Sequence, residues 1–194
     1  METIANFEVL FGVSLNNHQK QQVELYLNLL GHWNRRINLT SPALTQEQLL
    51  GHIFEGFWAA ASFLDGQEYL VDVGSGAGFP GMTMKLYFPS LTLTLIEKNH
   101  KKGAFLQELS RQLELEVRVF QDWAENYPSW QPNQMAVLKA LKPSSRLLAD
   151  LSSSRLKLLC FHGQRLGRWA GKLQVIRREK VPQSNNRYAC LLQC

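Results

Sequence analysis

Cysteine is scarce in this 194-residue chain, and its pattern excludes two classes of protein. The three cysteines, Cys160, Cys190 and Cys194, are odd in number and lack the paired spacing of a disulfide scaffold or a zinc site. We interpret them as reduced structural or surface residues and expect no metal. No apolar run reaches the roughly 20 residues of a transmembrane helix, and residues 1–13 lack the pattern of a signal peptide. The sequence therefore predicts a cytoplasmic protein with no membrane partner.

Charge is also limited, and its distribution matters more than its sum. Charged residues make up 19% of the chain, hydrophobic residues 45%, and the net charge is +5, an ordinary globular composition with enough length for one well-packed domain. A mild basic excess is weak evidence for a nucleic-acid partner. The C-terminal part is the most basic, and its residues either face solvent or contact RNA phosphates: Arg165, Arg168, Lys172, Arg177, Arg178 and Lys180.

Helical patterns come first along the chain. One amphipathic helix can be capped by Asn16 or Asn17, and a second begins after Thr45, which forms a capping-box pattern with Gln48. Apolar runs that indicate buried parallel strands then alternate with helical patterns. We predict strands at 69–73, 92–96, 117–120, 135–138 and 156–161, and helices at 82–87, 101–113 and 146–151.

The last two β-like runs break this alternation. Residues 173–177 and 188–192 are joined by a turn segment with no helix between them, which predicts an antiparallel hairpin. A mostly parallel α/β sheet that ends in such a hairpin is typical of the Rossmann-like fold of class I S-adenosylmethionine-dependent methyltransferases. We expect residues 1–194 to form a single methyltransferase domain, with residues 1–65 as an N-terminal helical extension.

The strongest local signal is the glycine-rich segment 71–81, Val-Asp-Val-Gly-Ser-Gly-Ala-Gly-Phe-Pro-Gly. Glycines directly after a strand allow a tight turn and a close approach of ligand to backbone. Glu97, at the end of the next strand, can accept hydrogen bonds from both hydroxyls of a ribose. These features fit NAD or S-adenosylmethionine. The Gly-x-Gly-x-Gly spacing from Gly74, with Asp72 just before it, favours S-adenosylmethionine, because a dinucleotide pattern starting there would need glycine at Phe79.

The chain resembles the glucose-inhibited division protein B family, whose members are bacterial guanine-N7 methyltransferases of 16S ribosomal RNA. The resemblance rests on 33–34, 37–40, the helix that carries His52, segment 71–81 and the region after Glu97. It runs from about the second helix to the last strand, and segment 72–81 is its most specific part, because Pro80-Gly81 is uncommon in other methyltransferases. It implies S-adenosyl-L-methionine as cofactor, methyl transfer to N7 of a guanine, and ribosomal RNA or the small ribosomal subunit as partner. We expect the protein to be a monomer.

Carried over by position, the resemblance implies a set of site residues. The resemblance assigns the methionine end of the cofactor to Gly74 and its neighbours, and the ribose to Glu97. The adenine falls to Ala124 and Glu125, where Trp123 either stacks on the base or packs in the core. The full cofactor set is Asp72, Gly74, Gly76, Gly78, Phe79, Glu97, Ala124, Glu125 and Lys139, and the substrate set is Asn38, His52 and Lys139; catalytic residues stay unassigned.

Departures from the family pattern fall mainly on the presumed RNA side. Lys139 stands where the family usually has arginine and so lacks the bidentate guanidinium fork. Gly51 replaces an arginine before His52, and Glu55-Gly56 replaces Asp-Ser. Two alternatives therefore remain open: a methyltransferase that acts on another substrate, and a non-catalytic RNA-binding protein with a vestigial cofactor loop. For His52 itself, a structural role on an apolar helix competes with substrate contact.

Overall fold

A computed structural model describes residues 2–171 and 173–194, and Lys172 of the predicted basic set lies outside them. Its helices are α1 Glu2–Phe11, α2 Asn17–Asn34, α3 Gln46–Phe63, α4 Gly81–Tyr87, α5 His100–Gln112 and α6 Ser145–Ser153. Its strands are β1 Tyr69–Val73, β2 Thr92–Ile96, β3 Val117–Phe120, β4 Gln134–Lys139, β5 Lys157–His162, β6 Gln174–Lys180 and β7 Tyr188–Gln193. Short 3-10 helices span Ala124–Asn126 and Arg168–Ala170.

All seven strands form one sheet in the order β3-β2-β1-β4-β5-β7-β6. The first five are parallel, and β7 inserts antiparallel between β5 and β6. This confirms the predicted mostly parallel sheet with a C-terminal antiparallel hairpin. The strand order reverses between the adjacent strands β1 and β4. Their carboxyl ends therefore border the crevice in which ligands bind in such sheets. Within the described residues, none of the helices has the length and apolar character needed to cross a bilayer.

The predicted helix starts are confirmed by their capping groups. Asn16 caps α2 and Thr45 caps α3, each in a capping box with a glutamine three residues later. Helix α1 was not predicted, because it is short and carries exposed apolar residues such as Val9 (82% exposed) that blur its amphipathic pattern.

Two hydrophobic layers cover the sheet. On one face, α1 to α5 pack on side chains such as Leu93 and Val137, and the N-terminal helices share this core with the sheet. The other face is covered by α6 and the 3-10 helices, which pack on residues such as Val73 and Leu138. Consecutive residues of a β-strand therefore pack into the cores on opposite faces of the sheet. The division into one domain with a helical extension at 1–65 stays a prediction.

Helix α3 lies close to α4 because Gly56 has no side chain. A Cβ atom at Gly56 would lie 1.8 Å from Oγ1 of the buried Thr83. We expect Gly56→Ala to lower the free energy of unfolding by roughly 1–3 kcal/mol through overpacking, which outweighs the gain of about 1 kcal/mol in helix propensity. Urea unfolding measures this change.

The matched control is Gly31→Ala in α2, where nothing lies within 4 Å of the added methyl group. This variant should be as stable as the native chain or more stable. Equal effects of the two substitutions would contradict the proposed close packing of α3 on α4.

Candidate active site

The glycine loop after β1 turns back on the end of β2. Gly74, Gly76 and Gly78 have φ angles of +75°, +56° and +92°, in the region that side chains disfavour. The backbone N–H groups of Gly74 and Ser75 donate to the carbonyl of Ile96 at 2.9 and 3.1 Å. The turn is therefore fixed against the carboxyl end of the neighbouring strand.

Glu97 closes this arrangement from the β2 side. Its Oε2 accepts from the Gly76 N–H at 2.9 Å, and its Oε1 accepts from the Asn99 N–H at 2.9 Å. The residue is 7% exposed. Each carboxylate oxygen has a second lone-pair direction, so both can still accept a hydrogen bond from a ligand. Glu97 thus combines a structural contact with a free acceptor edge.

A cavity of about 360 Å³ opens beside Glu97, within the size range of small-ligand sites. Four of the predicted cofactor residues line it: Gly74, Glu97, Ala124 and Glu125. Trp123 also lines it and is 56% exposed, with the Lys98 ammonium 3.6 Å from its ring centroid. The core-packing interpretation of Trp123 is therefore wrong. An exposed indole on a mostly apolar wall provides a stacking surface for a planar base.

The loop after β4 supplies a wall that sequence reasoning missed. Leu141 lies in it, with Cδ2 3.4 Å from the place of a Cβ on Gly74, and Ser144 donates to the Glu125 carboxylate at 2.5 Å. That hydrogen bond, with charges of Arg146 and Lys98, lowers the pKa of Glu125. Irregular loops have no periodic signal, which is why segment 141–144 was not found.

The N-terminus of α4 offers few free donors to a phosphate. Pro80 has no N–H, the Gly81 N–H donates to Asp72 Oδ2 at 3.1 Å, and the Met82 N–H donates to the Gly78 carbonyl at 3.0 Å. Dinucleotide sites place the pyrophosphate against free N–H groups at this helix end. A Cβ on Gly81 would lie 2.6 Å from the Asp72 Cβ, so this glycine serves the Asp72 contact. The geometry favours a cofactor without pyrophosphate.

Gly78 and Phe79 face α2, away from this cavity. A Cβ on Gly78 would lie 2.4 Å from the Tyr26 hydroxyl oxygen, and that hydroxyl donates to the Ala77 carbonyl at 2.7 Å. Phe79 stacks on Tyr26 with ring centroids 5.5 Å apart. Neither residue is among those that line the cavity. Contact with Tyr26 gives a structural reason for glycine at position 78 and for phenylalanine at position 79. Tyr26 lies 51 residues away from Ala77 along the chain and was not anticipated.

A buried charged cluster lies on the other side of Phe79. The Glu55 side chain is fully buried, and its Oε2 accepts from Lys139 Nζ at 2.9 Å and from an Arg187 N–H at 2.8 Å. His52 Nδ1 lies 3.3 Å from this oxygen and 3.3 Å from Lys139 Nζ. Burial raises the pKa of Glu55, but the His52 hydrogen bond and the charges of Lys139 and Arg187 outweigh it and bring the pKa to about 2. Burial lowers the pKa of Lys139, opposed by Glu55. We call these four residues the Glu55 cluster.

The cluster adjoins the glycine loop through Phe79. The His52 ring lies 5.7 Å from the Phe79 ring, and Lys139 Nζ lies 5.8 Å from it. The predicted substrate residues His52 and Lys139 are therefore brought together. Asn38 is exposed in the loop between α2 and α3 and does not line either region. Arg187 joins the cluster from the segment just before β7, 132 positions from Glu55, and nothing in sequence spacing joins the two.

The winding of this sheet, its hairpin and its glycine turn define a class I methyltransferase fold. A sequence model of the GidB family, described as rRNA small subunit methyltransferase G, matches residues 19–166. This span is more than half of the chain, and the protein belongs to the GidB family.

Curated relatives carry the same description. The chain is 40% identical over 119 residues to ribosomal RNA small subunit methyltransferase G of Bacillus subtilis, covering 60% of this chain and 49% of that one. It is 35% identical over 130 residues to the Shigella flexneri protein of that name, covering 66% and 62%. The chain thus spans about half of the length of the first of these relatives and under two thirds of the second.

Solved structures share the fold. A SAM-dependent methyltransferase from Aquifex aeolicus is 15% identical, with a TM-score of 0.53 over 66% of this chain and 82% of that one. The Pyrococcus abyssi tRNA (uracil-54, C5)-methyltransferase, solved with S-adenosyl-L-homocysteine, is 9% identical, with a TM-score of 0.58 over 73% and 38%. At these identities the likeness concerns the arrangement of strands and helices.

Asp72 gives the fold a specific pH dependence. Burial raises the pKa of this carboxyl to about 7, although the Gly81 and Ser75 hydrogen bonds oppose the shift. Between about pH 4 and 7 the folded chain holds a proton that the unfolded chain has released, so the free energy of unfolding should fall as pH rises. Asp72→Asn should remove this fall, which amounts to at most about 4 kcal/mol.

Urea unfolding from pH 5 to 8 measures the effect without interference from Glu55. The stabilising contribution of Glu55 is lost only as the pH falls below the ordinary pKa of a glutamate, near 4.5. The matched control is Asp65→Asn at an exposed position, which should keep the native slope. A native slope in Asp72→Asn would contradict the assigned pKa.

Proposed function

We propose that this protein transfers the methyl group of S-adenosyl-L-methionine to N7 of a guanine in 16S ribosomal RNA. Membership of the GidB family supports the reaction class and the ribosomal RNA substrate. The observation that supports the cofactor is the turn after β1. Glu97 presents a carboxylate beside a mostly apolar cavity that Trp123 lines, while the first N–H groups of α4 are already hydrogen-bonded. We further propose that the protein acts as a cytoplasmic monomer on the RNA or on the small ribosomal subunit.

Each part of the cavity suits one part of this cofactor. Glu97 would accept hydrogen bonds from the ribose hydroxyls. Trp123, Ala124 and Leu141 would enclose the adenine, and Glu125 would lie along its edge. The open backbone at Gly74 leaves room for the methionine end. Asp72, Gly76, Gly78 and Phe79 would hold the loop in shape beneath it.

Methylation of guanine N7 needs no general base, because N7 carries a lone pair and no proton at neutral pH. When bound, the cofactor would supply an electrophilic methyl group, whose bond to sulfur breaks as the bond to N7 forms. The protein then has to align the base with that methyl group, which is catalysis by orientation. We propose Lys139, His52 and Asn38 as residues on the substrate side. Lys139 is held by Glu55 at 2.9 Å, so its ammonium has a fixed direction.

Cofactor binding is tested by calorimetric titration with S-adenosylhomocysteine and with NAD. We expect micromolar binding of the first compound and none of the second. Gly74→Val should abolish binding, because a branched side chain is strained at φ +75° and would meet Leu141. Glu97→Ala should weaken binding by ~1.5–3 kcal/mol through lost charge-assisted hydrogen bonds.

The control for Glu97→Ala is Glu68→Ala. Glu68 is an exposed glutamate just before β1, so it lies at the amino ends of the parallel strands, opposite the carboxyl ends that carry the site. Thermal unfolding of each variant separates lost binding from lost folding. Titration curves equal to the native curve in both site variants would refute the assignment. An absence of binding in the native protein would favour the vestigial-loop alternative.

Methyl transfer is tested with radiolabelled S-adenosylmethionine and deproteinised small-subunit ribosomal RNA or intact subunits. We expect label in RNA that ribonuclease releases, and chain cleavage at one guanine after borohydride and aniline, a treatment specific for 7-methylguanosine. Label that survives ribonuclease would indicate another substrate. Bound cofactor without transfer to either RNA preparation would overturn the proposed reaction.

A further inference from the structure

A second cavity, separate from the proposed cofactor site, opens beside the Glu55 cluster. It has a volume of about 440 Å³ and lies between α1, α3 and the turn that joins β6 to β7. Phe7 and Phe11 line it from α1, His52 from α3, and Arg187 from the turn. Its size is within the range of small-ligand sites, and it shares no lining residue with the proposed cofactor cavity.

Helix α3 carries glycine at the wall of this cavity. The nearest atom to a Cβ placed on Gly51 is Cε1 of Phe7, at 3.7 Å, and Gly51 is one of the lining residues. A one-carbon side chain would fit there in ordinary contact, whereas a longer one would project into the space. The size of residue 51 therefore controls how much of the cavity is open.

Arg187 gives the inner wall of the cavity a positive charge, and Glu47 at the rim carries a negative one. Lys139 and Arg187 carry two positive charges against the single negative charge of Glu55, whose Oε2 both cations contact. The surplus faces the cavity through Arg187, whose side chain is 44% exposed. The Glu55 carboxylate, fully buried, fixes the direction of Arg187 and His52. Aromatic rings beside a held arginine are the combination that binds an unstacked base and its phosphate.

The position of the cavity relates it to the reaction. His52 lines its wall and also lies 5.7 Å from the ring of Phe79, which belongs to the glycine loop. Lys139, at the carboxyl end of β4 beside β1, also shares Glu55 Oε2 with Arg187. The cavity therefore adjoins the edge of the sheet at which the proposed cofactor site lies, where a strand of RNA that presents one base to the cofactor would place a neighbouring nucleotide. At the rim, Glu47 offers an acceptor for the amino groups of a base.

From these observations we infer that the cavity beside Gly51 is a nucleotide-binding subsite, which holds an RNA nucleotide adjoining the methylated guanine. The inference rests on the proposed function and adds to it a site that reads the RNA next to the target. The base would pack on the partly exposed ring of Phe7, which Phe11 supports from the core, and its phosphate would be contacted by Arg187. The cofactor cavity would be unaffected by its occupancy, because the two share no lining residue.

Gly51→Leu tests this by filling the cavity. We expect the KM for ribosomal RNA to rise roughly tenfold or more, as the loss of one base-stacking contact would cause, with kcat and the affinity for S-adenosylhomocysteine unchanged. The matched control is Gly31→Leu, at an exposed helical glycine with open space around it. The control should keep the native KM.

A native KM in Gly51→Leu, with native thermal stability, would overturn the subsite while leaving the proposed function intact. An inactive native protein would overturn the proposed function and the subsite with it. If Gly51→Leu fails to fold, Arg187→Gln decides: the slope of log affinity against log salt should fall by about 0.7–0.9, the share of one phosphate contact. An unchanged slope in that variant would overturn the subsite.

Discussion

The site depends on three hydrogen bonds that tie the turn after β1 to the end of β2. The N–H groups of Gly74 and Ser75 bond to the Ile96 carbonyl, and the Gly76 N–H bonds to Glu97. Because Glu97 is oriented by the same backbone that it helps to fix, the loop and its acceptor form one rigid unit. The carboxyl edge of a parallel sheet makes this possible, since adjacent strands end side by side there.

Apolar patterns in the sequence predicted the strands, whereas contacts between residues far apart along the chain were missed. Buried strands such as β1 and β4 are continuous apolar runs, so their limits were predicted within one or two residues. The Glu55 cluster joins residues separated by 84 and 132 positions, and no local pattern encodes such contacts. Gly78 differs again: the glycine motif predicts a ligand contact there, and the structure adds a packing reason for glycine, because a Cβ would lie 2.4 Å from the Tyr26 hydroxyl oxygen.

Several departures from the family pattern meet in one place. Glu55 contacts Lys139 directly, so two of the unusual residues are partners across α3 and β4. Gly56, next to Glu55, lets α3 approach Thr83, and Gly51 opens the cavity one turn earlier. A lysine ammonium makes single contacts where a guanidinium would make paired ones, and here Arg187 supplies a further cation to the same carboxylate oxygen. The altered residues are best understood as one local arrangement.

The position of β7 has a consequence for the synthesis of the chain. Strand β6 leaves the ribosome before β7. Among the described residues, however, β6 pairs only with β7, and β7 also pairs with β5. Until β7 emerges, the nascent sheet ends at an unpaired β5, and residues of β6 such as Val175, which pairs with Leu192, lack a partner strand. Such unpaired edges are where aggregation begins. Nascent chains stalled before residue 188 should therefore depend most on chaperones.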